Sequence, residues 1–251
     1  MSNASSKLIQ MMKRRPHQDT SLVRRRPTTA VGLRGVGRSV IAPLVGLALT
    51  VLATPSWADE AAWSALDRLR TTLENRSPLT VDFEQSLIPE GFLPEDVDLE
   101  AGRLAVDLPR CLRWDYLGDF AKSFLLCDTE ARYWNPGEPA GQIFTVNREE
   151  DAPGLDFFLR TTDELKTRYR AASRRERDGD IELTVIDLDP LRPTDDVVDL
   201  QVRLDPGTGL MQRLSYRDVE GNLTTFVLTE YRGGAMDGAF RPPEGMVWER
   251  Q

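Results

Sequence analysis

The segment Cys111-Leu112-Arg113-Trp114-Asp115-Tyr116-Leu117-Gly118-Asp119-Phe120-Ala121-Lys122-Ser123-Phe124-Leu125-Leu126-Cys127 decides the fold. Leu112, Trp114 and Tyr116 alternate with Arg113 and Asp115 up to a Leu117-Gly118-Asp119 turn, and the two cysteines lie at equal distances from Asp119. An antiparallel hairpin turning there sets Cys111 against Cys127, Leu112 against Leu126 and Trp114 against Phe124. One register thus satisfies the cysteines and the apolar residues together. Leu112, Trp114 and Tyr116 share one face, and the cysteines stand on the other beside Arg113 and Asp115. In an oxidising compartment Cys111 and Cys127 are expected to form a structural disulfide, worth about 3 kcal/mol for a loop of this size. Their spacing is not the C-x-x-C of a redox-active pair.

The period of two continues on both sides of the hairpin. It runs through Val81 and Phe83; Leu104 and Val106; Ile181, Leu183 and Val185; Val198, Leu200, Val202 and Leu204; and Leu223, Thr225 and Val227. Asn135-Pro136-Gly137, Asp178-Gly179-Asp180, Asp205-Pro206-Gly207 and Glu220-Gly221-Asn222 supply turns between these runs. Closely spaced strands with short turns predict an antiparallel sheet that curls or closes. Before the strands, Trp63, Leu66, Leu69 and Leu73 recur at helical spacing over 60–75, and Ser77-Pro78 stops that helix. Two segments interrupt the strands. Residues 88–98 (IPEGFLPEDVD) form an acidic loop with two prolines, and 154–169 (GLDFFLRTTDELKTRY) read as one or two short helices with Leu155, Phe158, Leu159 and Leu165 as apolar contacts. Such an insertion packs on one face or the mouth of the sheet; a core-covering helix and a movable lid share its amphipathic pattern.

The first 58 residues have the organisation of a secretory signal. Lys13-Arg14-Arg15, Arg24-Arg25-Arg26, Arg34 and Arg38 precede an uncharged run of 14 residues from Val40 to Ala53, and Ser56-Trp57-Ala58 ends the segment. That run is shorter than the roughly 20 residues of a membrane-spanning helix. Cleavage after Ala58 is therefore expected, giving a signal peptide over 1–58 and one exported domain over 59–251. The whole chain holds 32 Lys+Arg and 40 Asp+Glu; 1–58 take nine of the basic residues and one acid, Asp19, which leaves 23 against 39 in the domain. That acidity disfavours nucleic acid and anionic membrane surfaces as partners. His17, the one histidine, also leaves with the leader. His-based nucleophilic, general-base and metal chemistry is thereby excluded from the domain.

Val81-x-Phe83-x-Gln85 is followed by Gly102-x-Leu104, Pro109, Leu112-Arg113-Trp114-Asp115-Tyr116, Leu125-x-x-Asp128 and Tyr133-Trp134-x-Pro136, and later by Asp218-x-x-Gly221-Asn222-x-Thr224 and Phe240-x-Pro242-Pro243-x-Gly245. In this order the stretches resemble the opening strand, the G-x-L strand, the P-x-x-F-x-W strand and following hairpin, the D-x-x-G-N-x-T turn and the F-x-x-P-P-x-G close of the LolA-type family of periplasmic lipoprotein carriers. The chain departs from the pattern where an arginine commonly precedes the second motif's proline and latches the lid. Leu108 stands there, with Arg110 one residue beyond the proline, and Thr129 replaces the glycine after the hairpin aspartate.

The resemblance implies a mainly β fold with a few helices. Its strongly curved antiparallel sheet is an incomplete half-barrel, with a helical lid over an apolar cavity. Leu104, Val106, Leu112, Trp114, Phe124, Leu126, Leu200, Val202, Phe226 and Leu228 are the expected lining, Trp114 foremost, and Leu155, Phe158 and Leu159 the expected underside of the lid. With Leu108 at the latch position, closure is expected to rest on apolar contact more than on a charged hydrogen bond. The implied function is a monomeric, cofactor-free periplasmic chaperone. It binds the acyl chains of lipid-modified proteins from an inner-membrane ABC transporter and passes them to an outer-membrane receptor. A carrier or sensor of another lipid, such as a glycolipid or phospholipid, uses the same features. For catalysis the sequence offers only Glu149-Glu150, Asp195-Asp196 and Asp187 with Asp189, in turns and at strand ends where solvated charge is usual. No G-x-S-x-G or metal-ligand spacing accompanies them, so the chain is read as a non-enzyme.

Overall fold

The computed structural model describes residues 59–92, 97, 99–146, 157–192, 197–235 and 237–251. The expected leader, Leu155, Glu149-Glu150 and Asp195-Asp196 lie outside these residues. Among the described residues no helix is long and apolar enough to cross a membrane.

Helix α1 (Glu60–Arg76) starts at an aspartate cap. One carboxylate oxygen of Asp59 accepts from the N–H of Ala61 (2.9 Å) and of Ala62 (3.3 Å). The other accepts from the N–H (2.6 Å) and hydroxyl (2.5 Å) of Ser173, so the cap also ties α1 to the sheet. These hydrogen bonds, Ser173 first, hold the Asp59 carboxyl below its usual pKa of 3.8. A carboxyl lowered in the folded state stabilises above its unfolded pKa, and that contribution fades as pH falls through the folded value. Asp59→Ala is expected to cost about 1–2 kcal/mol at neutral pH. The gap from wild type should close below about pH 3.8, as urea unfolding at several pH values would show.

Among the described residues twelve strands form one sheet: β1 (Leu79–Ile88), β2 (Leu99–Asp107), β3 (Cys111–Tyr116), β4 (Lys122–Cys127), β5 (Glu130–Trp134), β6 (Ala140–Thr145), β7 (Tyr169–Asp178), β8 (Ile181–Pro190), β9 (Asp199–Leu204), β10 (Met211–Arg217), β11 (Leu223–Gly233) and β12 (Val247–Arg250). Their order is β12-β6-β5-β4-β3-β2-β1-β11-β10-β9-β8-β7. The sheet is open, with β12 and β7 at its edges. Neighbours are antiparallel except β12, which runs parallel to β6. Between β6 and β7 come a 3₁₀ turn (Phe157–Leu159) and helix α2 (Thr162–Lys166), the latter started by a Thr161–Glu164 capping box.

The hairpin β3–β4 has the expected register: Cys111 faces Cys127, Leu112 faces Leu126 and Trp114 faces Phe124. One side of the sheet carries a continuous core. Leu79, Val81 and Phe83 of β1, Leu104 and Val106 of β2, Leu200 and Val202 of β9, and Phe226 and Leu228 of β11 join Trp63, Leu66, Leu69 and Leu73 of α1 in a single buried cluster. The Gly102 of the G-x-L strand has a steric cause. A Cβ there would overlap the Phe83 ring and the Asp115 carbonyl. In the D-x-x-G-N turn, Asp218 accepts from the N–H of Glu220 (3.0 Å) and of Asn222 (2.9 Å), while Gly221 takes a φ of 86°.

Candidate functional site

Every residue expected to line the cavity lies on the core side of the sheet and is buried, from Leu112 and Val202 at 0% exposed to Leu228 at 6%. Trp114 is flanked by Leu104 of β2 and Phe124 of β4. Its ring meets Phe158 edge-on, 6.5 Å between centroids.

Two elements cover this face. Helix α1 packs beside α2 and β7, and its Thr72 lies against Gly209 in the β9–β10 turn. The 3₁₀ turn brings Phe157, Phe158 and Leu159 over the β3 side, all three buried. Where α1 meets this cover, a void of about 20 Å³ remains among Leu66, Leu69, Leu73, Phe157, Phe158 and Leu165. That is room for about one water molecule. The face and its cover are thus in contact, with the apolar surfaces satisfied by each other.

Arg70 of α1 fastens the cover. Its Nη1 donates to the carbonyl oxygens of Phe158 (2.9 Å) and Arg160 (3.0 Å), while Nε pairs with Glu74 at 2.6 Å. The side chain is only 12% exposed. Closure therefore has a charged, bidentate component in addition to the expected apolar contact. Arg70 follows Leu69 on a helix whose face is Leu66, Leu69 and Leu73; from sequence it reads as solvated flank, and only the docking of 157–160 reveals its role. Leu108, in contrast, packs against the core, and Arg110 is exposed and pairs with Asp107.

The disulfide Cys111–Cys127 lies across β3–β4, away from the Trp114 side chain. On the same outer side Arg113 donates to Asp115 (2.9 Å) and to the Ala239 carbonyl (3.0 Å), and its guanidinium stacks 5.1 Å from the Trp134 ring. A Cys111→Ser, Cys127→Ser double variant should lose about 3 kcal/mol in denaturant unfolding. Equal stability would contradict a structural role for the bridge. Of the acidic groups considered for catalysis, Asp187 accepts from Arg174 and from Gln201 Nε2 (2.7 Å), and Asp189 stands opposite Arg170. These are surface ion pairs and strand pairings.

Exposed apolar residues gather at one end of the sheet. Of the nine large hydrophobic residues exposed among those described, Phe92, Leu99, Leu117, Phe120, Leu191, Val198 and Val219 lie at the end formed by the β1–β2, β3–β4, β8–β9 and β10–β11 connections.

No protein-family model matches the chain, and no curated protein does. Among solved structures, it is similar to a LolA superfamily protein from Nitrosomonas europaea, with 8% identity and TM-score 0.41 over 72% of this chain and 97% of that one. An uncharacterized conserved protein from Thermus thermophilus gives 11% identity and TM-score 0.47, covering 76% of this chain and 100% of that one. A putative outer membrane lipoprotein-sorting protein domain from Vibrio parahaemolyticus gives 11% and 0.45, covering 72% and 97%.

Proposed function

We propose that the chain is an exported carrier that holds the acyl chains of lipid-modified proteins against the core face of its sheet. One observation carries this reading: a continuous apolar face on an open sheet is closed by a short segment that Arg70 and Phe158 hold in place. Lifting residues 157–166 exposes apolar surface, and an acyl chain replaces the lost contacts. Each methylene taken from water contributes about 0.8 kcal/mol, so binding needs no covalent step. A ligand shifts such a cover only by preferring the open state, and acyl burial supplies that preference.

The leader expected over 1–58 favours action in the periplasm, and the apolar sheet end offers a surface for a donor at the inner membrane and a receptor at the outer membrane. Within this reading the protein binds and releases rather than catalyses. Native mass spectrometry of protein purified from the periplasm tests it. Co-purified acylated peptide is the expected result. Phospholipid or glycolipid in its place would assign a different cargo, and empty protein that also fails to take up acyl chains in vitro would overturn the carrier reading.

A further inference from the structure

The core face is not apolar along its whole length. Towards the end of the sheet that carries the exposed apolar residues, several inward positions are polar, among them Gln85 of β1, Glu100 of β2, Tyr116 of β3, Lys122 of β4, Tyr216 of β10 and Thr224 of β11, while Leu87 stays opposite Thr224 and Leu200 opposite Tyr216. Strand register makes them neighbours. Gln85 faces Glu100, Tyr116 faces Lys122, and Tyr216 faces Thr224. Most of this layer is internally satisfied. The Tyr116 hydroxyl donates to Gln85 Oε1. Lys122 Nζ donates to both oxygens of Glu100 (3.0 and 3.2 Å) and sits 4.4 Å from the Tyr116 ring centroid, so the pair adds no net charge. Burial, with Glu100 and Tyr216 nearby, raises the Tyr116 pKa well above its usual value and keeps the phenol neutral.

Thr224 is the exception. It is 0% exposed, and its Oγ1 has no hydrogen-bond partner. A buried hydroxyl without a partner is a net cost, and valine would fill the same shape without it. A donor held ready in a neutral layer, at the end of the apolar face nearest the exposed apolar residues, suits a ligand group that is neutral, accepts hydrogen bonds and joins an apolar tail to a polar head.

Resting on the carrier reading above, we infer that this layer binds the ester carbonyl region of a glycerol-linked acyl amphiphile, with Thr224 Oγ1 donating to a carbonyl and the chains running inward past Phe226 and Trp114. The layer thereby fixes how deeply the amphiphile enters. Because Lys122 is already paired with Glu100, a free fatty-acid carboxylate gains no cation there. The carbonyl can come from a diacylglyceryl-modified peptide or from a free diacylglycerol.

The test compares ligands of equal chain length on the whole protein: a diacylglyceryl lipopeptide, a diacylglycerol, and a dialkyl-ether glycerol that lacks the carbonyls. Wild type is expected to bind both esters about tenfold more tightly than the ether, the scale of one well-made hydrogen bond in a buried site. Thr224→Val should bring the ester-to-ether ratio close to one, leave ether affinity unchanged and leave the melting temperature equal or higher. A purely structural threonine would lower the melting temperature and leave the ratio alone, which overturns the inference. Gln85→Met is the second variant and should reduce the same ratio. Equal binding of ester and ether by wild type also overturns the inference while sparing the carrier reading, whereas failure of every ligand to bind defeats both. A stronger ester effect with the lipopeptide assigns the carbonyl to a modified protein; equal effects assign it to the lipid.

Discussion

Trp114→Glu is expected to lower stability by about 4 kcal/mol or more, because the change removes a large buried ring and puts a carboxylate in its place. Trp114 is 4% exposed, sits between Leu104 and Phe124, and supports Phe158 from below. No cationic side chain is among these contacts, so ionisation requires water to enter or the cover to lift. Burial raises the pKa of the new carboxyl in the folded state. Its destabilising effect is therefore smallest at low pH, where the group is neutral, and grows as pH rises above the unfolded value. Denaturant unfolding at about pH 4 and pH 8 would show this slope. Trp114→Leu, which keeps the face apolar, should cost less and show no such slope. Where the glutamate variant remains folded it should hold no acyl ligand. Full occupancy in a folded Trp114→Glu protein would refute the proposal that this face is the binding surface.

Arg70→Met should open the cover without harming the sheet. Methionine keeps much of the aliphatic stem against Leu66 and Leu73 but removes both donors to the Phe158 and Arg160 carbonyls. Hydrogen bonds from a charged donor contribute about 1.5–3 kcal/mol, so a loss of roughly 2 kcal/mol raises the open-to-closed ratio about thirtyfold. Faster uptake of an environment-sensitive hydrophobic dye is the expected readout, with an unchanged β-sheet circular dichroism spectrum. Phe158→Ala should act in the same direction by removing the contact with Trp114. An engineered disulfide from 157–160 to the sheet should block uptake until it is reduced. If Arg70→Met takes up dye no faster than wild type, the segment is a fixed part of the core.

The sequence disclosed the architecture where two independent signals coincided. At β3–β4 the cysteines and the apolar residues demanded one register, and the structure has it. Elsewhere one signal alone was ambiguous. Around 223–228 both parities hold residues able to face a core; alternation pointed to Leu223, Thr225 and Val227, yet the buried set is Thr224, Phe226 and Leu228. Strand β7 was hidden because it is an edge, where Arg170, Arg174, Arg175 and Arg177 replace the apolar period and discourage further pairing. The parallel pairing of β12 with β6 left no trace in four residues whose partner is remote in sequence. Strand parity matched the expected lining on β2, β3, β4 and β9, because one face of a covered sheet must be apolar, whereas Phe226 and Leu228 of that lining lie against the alternation. Arg70 and Thr224 did not follow from parity, since a single arginine beside an apolar stripe and a threonine in a strand are ordinary until their surroundings are known.

All but two of the strand pairings join consecutive strands; the exceptions are β1 with β11 and β6 with β12. The chain can thus build two runs of local hairpins, β1 to β6 and β7 to β11, each with little loop entropy to overcome. The β1–β11 seam can form only after the intervening chain is organised. Its closure is expected to be the slow event in assembling the sheet, and the core face is continuous only once it has formed. Amides along that seam should accordingly exchange with solvent only through global unfolding, whereas those of β7 and β12 exchange by fraying from the edges.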